Sequence, residues 1–205
     1  FRTRQQAILA QKGAESVFSV FVAAALPPEF FREKASGHLF YTPNRRGLGT
    51  VHTTELQALL QRWDAVEKED LYLWLERFCH YNTFEISIPV LRDPDAAPAG
   101  ETGIIISTLF DYLLTSRIRA RGWYEEFKER MEELFITAVS SSIYPRLKDN
   151  VLFSFSASPW SVYERVGSSE GSIVGWSFEG EVPVVTSIFN MGSSVKTALP
   201  DVCAA

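Results

Sequence analysis

A chain of 205 residues, 46% apolar and 22% charged, can bury one sizeable core and has the polar balance of an ordinary globular domain. Its net charge of −5, with acids and bases interspersed, excludes a dedicated nucleic-acid binder, which needs a concentrated basic surface to replace phosphate counterions. The two cysteines, Cys79 and Cys203, are far apart and read as reduced thiols, and no Cys/His cluster has zinc-ligand spacing, so a cytoplasmic location without a structural metal is expected.

The first residue is Phe1 rather than Met and no signal-peptide order follows, so the chain reads as excised from a longer protein. No apolar run reaches the length of a membrane span. The longest, residues 103–114, is broken by Ser107, Thr108 and Asp111.

In chain order, residues 1–13 read as a polar helix end stopping at Gly13. Residues 16–26, rich in Val and Phe, read as a buried strand ended by Pro27 and Pro28. Residues 38–42 form a second short strand before a basic, glycine-bearing loop. Residues 54–57 fit a capping box, and Leu56, Leu59, Leu60 and Trp63 then recur at helical spacing. A second helix places Leu71, Trp74, Leu75, Phe78 and Cys79 on one face. The pair makes a helical hairpin over residues 53–82, either plain cover for a sheet or a cap over an apolar pocket.

Phe84, Ile86, Ile88 and Val90 alternate with Glu85, Ser87 and Pro89, a strand whose end Pro89 marks. Residues 93–100 are a turn by composition, and 103–109 the returning strand. Arg117, Arg119 and Arg121 follow, a basic patch that is either solvated or a peripheral membrane contact. Residues 122–142 form the clearest helix, with Trp123, Phe127, Met131, Leu134, Phe135 and Ala138 on one face and Glu125, Glu126 and Glu129 near its start. Residues 151–156 read as a strand, 182–190 as a last apolar run. The whole is one α+β domain.

Residues 158–176 concentrate two of the five tryptophans, three glycines and opposed charges. The plain reading is a buried strand-turn-strand with packed rings; the sharper one is a pocket wall. The chain has no G-x-G-x-x-G, no P-loop and no G-x-S-x-G elbow. His38, His52 and His80 lack an acid or nucleophile at a telling spacing and read as surface or pocket-rim residues. Glu164 and Glu170 become general acids only if buried against the neighbouring tryptophans.

Three segments, in order and spacing, resemble the phytoene dehydrogenase family of FAD-dependent carotenoid desaturases and isomerases: 86–100 (ISIPVLRDPDAAPAG), 167–176 (GSSEGSIVGW) and 199–205 (LPDVCAA). The family's N-terminal G-x-G-x-x-G and its closing glycine-rich flavin motif have no counterpart, so the resemblance is to the middle, substrate-side portion. It implies a mixed, largely antiparallel sheet with helices packed on one face, holding an apolar, carotenoid- or isoprenoid-like substrate against FAD bound by the missing parts of the parent chain. It implies Glu170, Gly171 and Gly175 as a flavin-facing turn. Trp160, Tyr163 and Trp176 become pocket walls, and Phe40, Tyr41, Trp63 and Trp74 line the apolar cavity. The alternative is a stand-alone lipid- or isoprenoid-binding module without redox activity.

With no dinucleotide motif in these 205 residues, the chain alone is expected to retain FAD weakly or not at all; flavin absorbance of the purified chain checks this, and stoichiometric flavin would overturn it.

Overall fold

Alternation of period two sets the centre of the molecule. In β1 (Ser16–Ala24), Ser16, Phe18, Val20, Val22 and Ala24 are buried on one face, while Val17, Ser19, Phe21 and Ala23 point to the other. The computed structural model describes Gln6 and residues 13–47 and 49–175. Four further strands follow: β2 (His38–Tyr41), β3 (Phe84–Ser87), β4 (Thr102–Phe110) and β5 (Val151–Ala157). They form one sheet of order β2-β3-β4-β1-β5, with every neighbour antiparallel.

Among the described residues six α-helices accompany the sheet: α1 (Pro28–Arg32), α2 (Leu56–Gln61), α3 (Lys68–Tyr81), α4 (Tyr112–Ala120), α5 (Tyr124–Ser140) and α6 (Pro159–Val166). The α+β reading therefore holds, with an all-antiparallel sheet. The segment carrying α2 and α3 connects β2 to β3, which pair directly. Buried positions on α3 are Leu71, Trp74, Leu75, Phe78 and Cys79, the face read from the sequence. On α5 they are Phe127, Met131, Phe135, Ile136 and Val139, so Leu134 and Ala138 sit at the edge of the stripe.

Aromatic packing joins these helices to the sheet. Phe18 of β1 meets Phe110, Phe127 and Phe135 edge-on, with ring centroids 5.9, 5.5 and 5.5 Å away. Phe110 also meets Phe78 of α3 at 5.2 Å. Between α3 and α5, Lys68 Nζ donates to Glu126 at 2.7 Å, and Arg130 bonds both Glu76 and Glu133. Lys68 holds the Glu126 carboxyl below its ordinary range.

Local chemistry corrects three expectations. Thr54 begins no helix: a π-helical turn, Val51–Glu55, already runs into α2, and the Thr53 hydroxyl donates back to the Gly49 carbonyl. Residues 112–120, read only as an apolar segment with a basic tail, are helical because the Asp111 carboxylate accepts the Leu114 amide at 2.6 Å. The stretch after Ser158 is a helix, not strand-turn-strand. Ser158 and Ser161 form a capping box, Pro159 occupies the first turn, and Gly167 ends the helix in the left-handed region at φ 72°. The expectations for residues 1–5, 182–190 and 199–205, and for Cys203, lie outside the described residues. Among the described residues no helix is long and apolar enough to cross a membrane.

Tyr144 is fully buried against Phe31 (4.9 Å), and its hydroxyl has no hydrogen-bond partner among the described residues. Burial pushes its pKa from 10.0 up to about 12. The folded state thus holds this proton more tightly than the unfolded chain. The resulting stability is complete below pH 10 and lost as pH rises towards 12. Tyr144→Phe should leave stability at neutral pH unchanged or raised, since it removes an unpaired buried hydroxyl, and should flatten the loss between pH 10 and 12 in urea titrations.

Candidate functional site

One face of the sheet carries the helices; the other carries apolar side chains that no described element covers. Phe21 and Phe155, paired across β1 and β5, stack there at 4.8 Å and an interplanar angle of 10°. Phe40, Phe153, Phe155 and Leu109 are 71%, 60%, 54% and 43% exposed. Strands that are apolar on both sides normally have both sides covered, and a contiguous exposed apolar patch marks a binding surface.

A polar row crosses this face. Strand register aligns Phe40 with Glu85, Glu85 with Ser107, and Ser107 with Ser19. The Ser19 and Ser107 hydroxyls share a hydrogen bond of 2.8 Å, and Glu85 Oε1 lies 2.7 Å from His38 Nε2. A groove of about 410 Å³ is lined by Val17, Phe40, Glu85, Ser107 and Leu109, together with Asn82 and His52. Behind it a cleft of about 480 Å³ opens between the start of β1, the π-helical turn and the N-terminus of α4. Glu15 and His52 line both spaces, with Glu15 Oε1 3.4 Å from His52 Nε2.

The expected site residues fall into separate places. Phe40 is on the open face and in the groove. Tyr41 pairs with the buried Phe84 and packs against the core. Trp63 and Trp74 do not line the groove. Arg121 lies over the Trp63 ring at 5.1 Å and over Trp123 at 4.8 Å, and its guanidinium donates to the Trp63 and Val66 carbonyls. Trp74 packs on Phe78 at 5.2 Å and donates its indole N–H to the Val51 carbonyl. The helical hairpin therefore contributes to the core that holds Phe18 and Phe110; it is not a cap on the open face. Arg117 likewise donates to the Leu60 carbonyl, so two of the three arginines in the basic patch tie α4 to the end of α2 and the turn after it.

Trp160 and Tyr163 do come together, with centroids 5.3 Å apart, and stack on Tyr112 of α4. Arg119 covers the Trp160 ring at 4.3 Å. This cluster reaches the cleft only through Tyr112. Glu164 is exposed and is not buried against the neighbouring tryptophans. Trp176 lies outside the described residues.

The glycines expected to face a flavin have internal reasons. Gly171 has φ 64°, and a Cβ there would sit 2.3 Å from the Pro159 carbonyl oxygen. Ser16 Oγ donates to the Gly171 carbonyl at 2.6 Å, and a Cβ on Gly13 would meet the Ser169 carbonyl at 2.6 Å. The Gly175 carbonyl accepts the Ala14 amide. The close approaches are of backbone to backbone, and they lock the turn after α6 against the start of β1. Ser158 satisfies the first turn of α6. The fit of Gly171 against Pro159 accounts for a glycine at this position from within the chain. Glu170 borders the cleft at φ 53°, the one non-glycine residue with positive φ among those described. No group of three or more His, Cys, Asp or Glu among the described residues could hold a metal ion.

Reading the sequence missed Glu15, Asn82, Glu85 and Ser107 as groove residues. Serines interrupting apolar strands were the available signal; the His52–Glu15 pairing, 37 positions apart, had none. His52 does occupy a pocket rim, and His38 and His80 are held by Glu85 and Asn44. No family model matches the chain, and no curated protein sequence matches it.

The turn makes a paired prediction. Gly171→Ala should lose about 2 kcal/mol in urea denaturation, because the new methyl meets backbone in a left-handed conformation. Glu170→Gly should gain up to about 1 kcal/mol by relieving the left-handed backbone.

Proposed function

We propose that this chain is the substrate-side domain of a flavin-dependent oxidoreductase of the phytoene dehydrogenase type, and that the open sheet face is the wall against which an apolar substrate lies. The observation carrying the proposal is the apolar face itself: Phe21, Phe40, Leu109, Phe153 and Phe155 on an antiparallel sheet whose other side is filled by helices. Burying a flexible hydrocarbon there is favoured by about 25 cal/mol per Å² removed from water, with no need for charge or directed bonds. Rings fixed by strand register give the chain a flat, rigid bed, and the surrounding apolar surface excludes water from it.

The residues described bind and position; they provide no redox group. In this reading the flavin chemistry belongs to parts of the parent protein outside them. The same open apolar face also fits a second reading, a stand-alone module that binds apolar ligands without flavin, since holding a hydrocarbon needs no redox group.

Two measurements decide. Nile red should bind the purified chain, and Phe40→Asp combined with Phe155→Asp should weaken it at least about tenfold by placing charges on the apolar face. If the double variant binds Nile red unchanged, the face is not the wall. The reading frame containing this chain should carry G-x-G-x-x-G upstream, and its full product should purify with flavin. A frame without the motif, together with Nile red binding, would leave the module reading standing and remove the oxidoreductase.

A further inference from the structure

Two polar groups on residues that line the groove have no partner among the described residues. Asn82 is 3% exposed; its Oδ1 accepts the Thr83 amide at 2.7 Å, which fixes the orientation of the amide group and leaves Nδ2 buried and unbonded. His52 faces Glu15 through Nε2, and its Nδ1 is buried and unbonded. Both residues line the groove on the open sheet face. Native interiors pair such groups, because each unpaired one forfeits a desolvation cost of about 1–3 kcal/mol. Further along, Glu85 uses one carboxylate oxygen on His38, and the Ser19–Ser107 pair shares a single bond between two hydroxyls. The groove therefore has apolar walls, with hydrogen-bonding capacity in the row through Glu85 and Ser107 and at Asn82 and His52.

We infer that the ligand is an uncharged apolar chain bearing a hydroxyl, an isoprenoid-type alcohol, with its chain on Val17, Phe40 and Leu109 and its oxygen at Asn82. This rests on the reading of the open face as an apolar wall and adds the polar part of the ligand. A hydroxyl suits the site because it both accepts, from the Asn82 amide, and donates, to a carboxylate such as Glu85 or Glu15. A pure hydrocarbon would cover the polar row and leave Asn82 unbonded. A carboxylic acid would bring a negative charge towards Glu15 and Glu85, both of which line the groove. The groove volume, about 410 Å³, is in the range of small-molecule sites.

The test is displacement of Nile red from the purified chain by geranylgeraniol, by the hydrocarbon lacking its hydroxyl, and by geranylgeranic acid. Geranylgeraniol should compete at least about tenfold better than either. Equal competition by the hydrocarbon, or stronger competition by the acid, overturns the inference while leaving the apolar wall intact. Failure of all three to displace bound dye removes the wall as well. Asn82→Leu should abolish the preference for the alcohol and keep the hydrocarbon's affinity; a preserved preference would overturn the role of Asn82. Should that variant not fold, the three-way competition on the unaltered chain still decides the ligand class.

Discussion

The fold depends on one ring. Phe18, on the helix-covered face of β1, meets Phe110, Phe127 and Phe135 edge-on, and through them ties β4 and α5 to β1, with α3 joined through Phe78. Edge-to-face contacts fix orientation as well as burying area, so each ring limits where its neighbours can sit. Because Phe18 points to one side of β1, all of this packing lies on that side. Period-two geometry then sends Val17, Ser19 and Phe21 to the opposite face, where the described elements offer nothing to cover them. The open face follows from the aromatic core.

A second constraint closes the molecule around the beginning of β1. The turn after α6 is drawn onto it by the Ser16–Gly171 bond and by two glycines that admit carbonyl oxygens at distances no Cβ could tolerate. Closure brings Glu170 to the cleft, and the segment that follows it runs beside residues 14 and 15. The aromatic, glycine-punctuated stretch is thus a fastening whose neighbour is the cleft. Trp160 and Tyr163 pack with Tyr112, and Arg119 covers the Trp160 ring.

Much of the architecture was legible because it is local. The alternation in β1 and β3, the buried faces of α3 and α5, and the turn around Asp93 are patterns within a few residues of one another. The helix at Pro159 was legible too: Ser158, Pro159, Ser161 and Gly167 are its capping chemistry, but the tryptophans and glycines drew attention to packing. Trp63 and Trp74, expected to line an apolar cavity, mark the limit of such patterns: a large ring at a helical position looks the same in sequence whether it meets a ligand or a core. Their actual neighbours, Arg121, Phe78 and Phe110, come from distant segments.

By itself the sequence determined an α+β chain, with most of its strands and the apolar faces of its long helices, since hydrophobic period and side-chain chemistry are properties of neighbouring residues. The tertiary structure decided which sheet face stays open and that the helical hairpin lies away from it. It alone joined Ser19 to Ser107 across 88 positions and brought Asn82 and His52 to the lining of one groove. Those pairings depend on strand order and on the side of the sheet each helix takes, and both are set by long-range packing around Phe18.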